Sequence, residues 1–324
     1  MRASNIELLR IVAIIFIMLE HIVVFALNPA GFDIPKPHYV IPDSVANACI
    51  SVFIVGVDIF VLISGYFTIK LSILKISKLW FCCAFYELFN FLSAYLILGD
   101  ISKTAALKFL LPLSNGWFMP TYIALMIISP FLNSCLNSIS KKQYFYCLIL
   151  FTWMNVYFGF IMNKVGNANG FSVINFIYLY ILGRYVRRFP IKIGRITALF
   201  VFILSILSIY TLSMFRNGDF SFAYNNPLVL LSALALFILF EKQADMSSKS
   251  INYIATLSFP VFLSHSIVVE LVNRYLSVHG FAVIVPIILV YLSFIVLLDI
   301  IRKYWQKKFS SFVSKYFNDD NYQF

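Results

Sequence analysis

About ten separate stretches of this chain are apolar for close to the length that crosses a bilayer, and few charges interrupt them. A helix spanning the hydrocarbon core needs about 20 mostly apolar residues. Runs of that kind lie at 6–28, 46–69, 77–98, 117–137, 144–162, 172–189, 196–215, 226–241, 252–276 and 281–301. In lipid each backbone N–H and C=O must be satisfied within its own segment, so such runs fold as helices. The expected fold is all-α, a polytopic transmembrane helix bundle of about ten helices. The 226–241 run is short and the first carries charges, so nine also fits. Composition points the same way: of 324 residues 61% are apolar and only 12% charged, about half the charge of a soluble domain. That is too little to cover a water-facing surface, which excludes a soluble enzyme, a disordered chain and a nucleic-acid-binding module. The implied surroundings are a lipid bilayer.

The net charge of +11 becomes a topology signal once the spans are placed. With ten spans and the N-terminus inside, nineteen of the 25 Lys and Arg residues fall in cytoplasmic segments, as the positive-inside rule expects. Both termini are therefore expected in the cytoplasm. Residues 1–305 read as one transmembrane domain and 306–324 as a short basic cytoplasmic tail. The first apolar run is too long for the core of a cleavable signal and no small-residue cleavage site follows it. The five cysteines lie in or beside apolar runs without CxxC spacing; they read as small hydrophobes, and no metal site is implied.

Ionisable groups inside spans cost about 2.5–3.5 kcal/mol at the helix centre on insertion scales, so they mark bundle interiors or wet cavities. Here they are Arg10, Glu20, His21, Asp58, Glu87, His265 and Glu270. Asp299, near the inner end of the last run, reads as interfacial. Arg10 and His21 are eleven residues apart, about 20° short of or beyond whole turns, so they share a helix face about 16 Å apart along the axis. That spacing suits a long ligand, touched by a cation at one end and an imidazole at the other; a snorkelling Arg with a packed His is the plain alternative. His265 reaches a similar depth in the ninth run.

These residues sit in four strings: SNIELLRIVAIIFIMLEH from Ser4, VGVDIFVLISGYFTIK from Val55, NGWFMPTYIALMIISPFL from Asn115 and LSFPVFLSHSIV from Leu257. Together, in this order and across nearly the whole chain, they resemble the acyltransferase 3 family of multi-pass membrane acyltransferases, most of all its bacterial polysaccharide O-acetyltransferases. The resemblance implies a cytoplasmic acyl-CoA donor, acetyl-CoA first among them, and a hydroxyl acceptor on a surface glycan or lipid-linked saccharide. It implies a multi-pass protein of the bacterial cytoplasmic membrane. The family's first-span Arg and His match Arg10 and His21, and its late His matches His265; these are the implied catalytic residues. Its Ser-Gly-aromatic string matches Ser64, Gly65 and Tyr66. The arginines that usually follow are replaced by Lys70, Lys75 and Lys78, which with Arg10, Ser64, Gly65 and Tyr66 are the implied acyl-CoA contacts. Lys binds phosphate as a point charge without the guanidinium fork. The family often has an acid two residues after the basic start, whereas here Glu7 precedes Leu8, Leu9 and Arg10.

The chemistry asks for the same parts. O-acylation from a thioester needs a base for the acceptor proton, and imidazole suits that task; His21 is the candidate. An oxyanion stabiliser is also needed, to which Trp117 or Tyr122 is a candidate contributor, though both also read as packing aromatics. Asp58 and Glu87 orient a histidine or bind acceptor hydroxyls, or else pair with Arg10 or a Tyr. Arg184, Arg187, Arg188, Lys192 and Arg195 form a second basic cluster; either cluster suits the 3′-phospho-ADP end of the donor, and the plainer reading of the second is a topology determinant with attraction for anionic lipid. A polysaccharide polymerase or flippase, or a proton-coupled transporter, shares this composition. A polymerase would carry a larger outer loop, and a transporter paired halves, neither of which is evident.

Overall fold

The structure, a computed structural model, describes residues 4–29, 31–32, 41–99, 116–164, 166–243 and 246–316. Among these the regular structure is helical throughout. The elements are α1 (Ser4–Ile22), α2 (Asp43–Phe53), α3 (Gly56–Phe67), α4 (Ile73–Ser93), α5 (Phe118–Ser138), α6 (Lys141–Trp153) and α7 (Val173–Arg188). They continue as α8 (Arg195–Phe215), the single turn α9 (Gly218–Ser221), α10 (Pro227–Glu241), α11 (Lys249–Ala255), α12 (Ser258–Ser264), α13 (Ser266–His279) and α14 (Ile284–Tyr316). Short π-helical stretches extend α1, α4 and α6.

Local chemistry sets the ends. Ser140 caps α6 in a reciprocal box with Gln143, Ser72 accepts from the Lys75 N–H at the start of α4, and Asn226 caps α10 with Pro227 at its first position. Each satisfies donors a helix start leaves open.

Seven helical stretches among the described residues are long and apolar enough to cross a membrane: Ser4–Leu27, Asp43–Phe67, Ile73–Leu96, Phe118–Ser138, Lys141–Ile161, Arg195–Phe215 and Ser266–Lys315. The last is 50 residues long and holds both α13 and α14. The chain is a multi-pass membrane protein, and its outward faces agree: Ile196, Phe131 and Phe215 are 86%, 77% and 81% exposed, unsuited to water but ordinary against lipid tails. Three of the ten expected runs depart from full spans. The 172–189 run forms α7 with 16 residues, ending just before Pro190, and the 226–241 run forms α10 with 15. The 252–276 run breaks into α11, α12 and α13. Pro260 has no N–H to offer the Thr256 carbonyl, so the helix restarts with the proline in its first turn. The expected basic tail continues α14 as helix to Tyr316, and 317–324 lie outside the described residues.

The chain divides into two compact units, one of Met1–Ile69 with Phe131–Ala255 and one of Lys70–Pro130 with Thr256–Phe324. In the first, α3 is the central element, buried on nearly all sides and packed most closely on α7 and α1. Glycines make those approaches. A methyl on Gly65 would run into the Tyr180 carbonyl and one on Gly183 into the Leu62 carbonyl; one on Gly56 would lie 2.8 Å from the Ala13 carbonyl. Backbones meet this closely only where side chains are absent. Gly65→Ala is therefore expected to cost about 1–3 kcal/mol through overpacking, seen as a lower unfolding temperature of the detergent-solubilised protein; an unchanged temperature would show that α3 and α7 separate freely.

In the second unit α4 packs on α12 and α14. Asn90 of α4 donates to the Leu263 carbonyl at 2.8 Å. Asp299 of α14 is fully buried within the protein: it pairs with Arg302 at 2.6 Å and Lys303 at 2.8 Å, and accepts from the Tyr86 hydroxyl at 3.3 Å.

Candidate active site

Arg10 and His21 lie on the single uninterrupted helix α1, so the axial spacing of about 16 Å holds. Their side chains are partly open, 22% and 27% exposed, and each has a carboxylate beside it. Arg10 pairs with the buried Glu7 at 2.7 Å, which gives the unexpected acid ahead of the arginine a task. His21 Nε2 lies 3.4 Å from Glu20, also buried, and its ring meets that of Phe25 at 5.5 Å. The Glu20 contact was not read from the sequence. Its only sequence signal is adjacency, and neighbouring helical residues point about 100° apart.

Asp58, in the first turn of α3, is fully buried, and neither carboxyl oxygen has a hydrogen-bond partner among the described residues. Tyr224, in the segment before α10, is buried within the electrostatic reach of both Asp58 and Glu20. Burial, then the carboxyls of Glu20 and Asp58, push the Tyr224 phenol well above the usual tyrosine range. Glu20, Asp58 and Tyr224 thus share one region of the first unit, next to His21.

At the other end of α3 the Ser-Gly-aromatic string is built into the packing. The Ser64 hydroxyl donates to the Phe60 carbonyl at 2.9 Å, Gly65 admits the α7 backbone, and the Tyr66 hydroxyl accepts from Arg187 at 3.0 Å. The Arg187 guanidinium also lies over the Tyr66 ring, 4.9 Å from its centroid. The arginines of α7, a topology signal in the sequence, converge on the family string. The sequence carried no signal of this; Gly65 against Tyr180 and Gly183 against Leu62 set the register that brings them there.

The remaining candidates belong to the second unit. Lys70, Lys75 and Lys78 are exposed, and Lys75 donates to the Lys70 carbonyl at 2.8 Å. Glu87 is buried on α4. Trp117, Tyr122 and His265 are joined by aromatic rings. Phe118 stacks on Tyr122 at 5.6 Å, meets Trp117 edge-on at 6.0 Å and approaches Phe262 at 4.7 Å, and Phe262 lies 5.8 Å from the His265 ring. His265 occupies the break between α12 and α13, and its Nδ1 is 2.7 Å from the Phe262 carbonyl. A carbonyl only accepts, so Nδ1 carries a proton and Nε2 is the basic nitrogen of the neutral ring. Next to it, the Ser264 and Tyr291 hydroxyls meet at 2.8 Å. Tyr291 also lines an apolar cavity of about 580 Å³ between α4, α13 and α14, with Phe89, Leu92, Ile267, Leu271 and Val290.

A family model described as an acyltransferase domain matches residues 4–305, nearly the whole chain. The chain belongs to the acyltransferase 3 family. No curated protein and no solved structure matches it. With its apolar helices, it is a membrane acyltransferase. Acyl transfer needs a base, an anchored donor and a stabiliser for the tetrahedral oxyanion. In the first unit the open imidazole of His21, flanked by a carboxylate, has the chemistry of the base. In the second, the phenol of Tyr122 and the indole N–H of Trp117 are donors of the type a stabiliser requires.

Proposed function

We propose that this acyltransferase is an O-acetyltransferase of the bacterial cytoplasmic membrane, moving an acetyl group from cytoplasmic acetyl-CoA to a hydroxyl of a surface or lipid-linked glycan. The observation that carries the reading is the continuous first helix. It presents Arg10 and His21 from one face, about 16 Å apart, with Glu20 against the imidazole. An elongated donor running along that face has its polar end by Arg10 and its thioester by His21.

In the reaction His21 takes the proton of the acceptor hydroxyl as the oxygen attacks the thioester carbon. The tetrahedral intermediate collapses, the C–S bond breaks, and the imidazolium returns the proton to the leaving thiolate. Products are the O-acetyl ester and free coenzyme A, and the histidine ends as it began. Glu20 holds the ring and stabilises the imidazolium between these steps. Lys70, Lys75 and Lys78 supply cations for the donor. The apolar cavity lined by Tyr291 supports a lipid-linked acceptor, since a hydrocarbon chain suits its lining.

The test is labelled acetyl transfer in cells with and without the protein, followed by NMR of the isolated glycan. The expected result is one O-acetyl signal that depends on the protein, with glycan chain length unchanged. Shortened glycan with undiminished acetylation would assign the protein to polymerisation instead.

A further inference from the structure

We propose that Arg184, Arg187 and Arg188 at the end of α7, with Tyr66 and Thr68 of α3, form a binding site for a phosphate ester, filled by the phosphates of the acyl donor. The donor half of this rests on the function proposed above.

The arginines occupy one turn of α7: Arg184 and Arg187 reach Thr68 and Tyr66 at the end of α3, and Arg188 beside them reaches the Leu136 carbonyl of α5. Every group they touch is neutral. Arg184 donates to Thr68 Oγ1 at 2.5 Å and to Asn137 Oδ1 at 2.6 Å, Arg187 to the Tyr66 hydroxyl at 3.0 Å, and Arg188 to the Leu136 carbonyl at 2.5 Å. Among the described residues no carboxylate pairs with any of them. Arg10 and Arg302 differ, each held by an acid. Lys141 adds a cation, lying over the Phe189 ring that Arg188 also covers. The C-terminal dipole of α7 offers only about half an elementary negative charge, which does not balance three guanidinium groups. Their mutual repulsion calls for a counter-anion.

The surroundings hold these side chains in place. The close backbone approaches of Gly65 to Tyr180 and of Gly183 to Leu62 fix α7 against α3. The Tyr180 hydroxyl accepts from the Ile69 N–H at 3.1 Å and donates to Asn133 at 2.7 Å, while Asn133 donates to the Ile69 carbonyl at 2.9 Å. Thr68 sits at φ +64°, a backbone state that is costly for a β-branched residue and is kept by its neighbours. Arg187 and Arg188 remain exposed, so an incoming anion reaches them. Guanidinium forks held this way match phosphate oxygens in pairs. The site supplies the forked recognition that Lys70, Lys75 and Lys78 cannot.

The experiment uses the full-length protein in phosphatidylcholine nanodiscs, with Arg187→Gln and Arg188→Gln as separate variants checked for unchanged elution and unfolding temperature. Arg188 contacts only a backbone carbonyl and a ring, so its variant stands if loss of the Tyr66 contact disturbs folding. Binding of coenzyme A, pantetheine and inorganic phosphate is measured by calorimetry, and retention of phosphatidylglycerol by lipid analysis. Each variant is expected to weaken coenzyme A about tenfold or more and to leave pantetheine, which has no phosphate ester, unaffected. Undiminished coenzyme A binding in folded variants overturns the site as a donor site; loss of phosphatidylglycerol alone then assigns the arginines to a lipid headgroup. Wild-type protein that ignores coenzyme A but binds phosphate through these arginines keeps the anion site and overturns the donor reading.

Discussion

His21→Ala is expected to abolish acyl transfer, lowering the rate by about 10²–10⁴-fold, the usual contribution of a positioned general base. Alanine is the best helix former and the imidazole is partly open, so α1 should persist and the protein should reach the membrane in normal amount. Coenzyme A binding should also persist, because the cations proposed to hold the donor are elsewhere in the chain. The measurements are the O-acetyl signal in glycan NMR and acetyl transfer in isolated membranes. Loss of transfer with donor binding intact assigns His21 to chemistry. Full transfer by the variant would remove the imidazole from the mechanism and direct attention to His265, whose Nδ1 is tied to a backbone carbonyl and whose Nε2 is the basic atom.

Much of this site was legible because charge is scarce in the chain. When so few ionisable groups lie within apolar runs, each is conspicuous, and helical periodicity places Arg10 and His21 on one face without a structure. The membrane class and the family followed from the same strings. Partners brought together by helix packing were not legible. Nothing in the order of residues shows that Arg187 lies on Tyr66, because the two are far apart in sequence and meet through the packing of α3 on α7 at Gly65–Tyr180 and Gly183–Leu62. The Ser-Gly-aromatic string was legible as a ligand motif, but not that its glycine also admits a neighbouring helix and its serine donates to a carbonyl of its own helix. Span counting failed where apolar composition and helix continuity part company. The 252–276 run is mostly apolar, but Pro260 and the polar turn at Ser264–His265 divide it into three helices.

Asp299 is the centre of a buried ion cluster that its place in the sequence did not show, and it carries the largest expected effect on stability. Asp299→Ala would leave Arg302, 7% exposed, without its carboxylate and Tyr86 without its acceptor. Removing one partner of a buried pair typically costs about 3–5 kcal/mol, because the stranded charge keeps its desolvation penalty. Arg302 also donates to Gln306 at 2.6 Å, and Gln306 in turn to the Lys78 carbonyl at 2.7 Å, so the damage should spread to the start of α4. The protein should unfold at lower temperature in detergent, with the loss concentrated in α4 and α14 by hydrogen exchange. The paired change Asp299→Leu with Arg302→Met should recover most of the stability, since replacing both partners by apolar groups removes the penalty with the attraction. If the single variant were as stable as wild type, Arg302 would have to reach water or lipid phosphate by snorkelling, and the cluster would then be a local charge balance that the fold does not depend on.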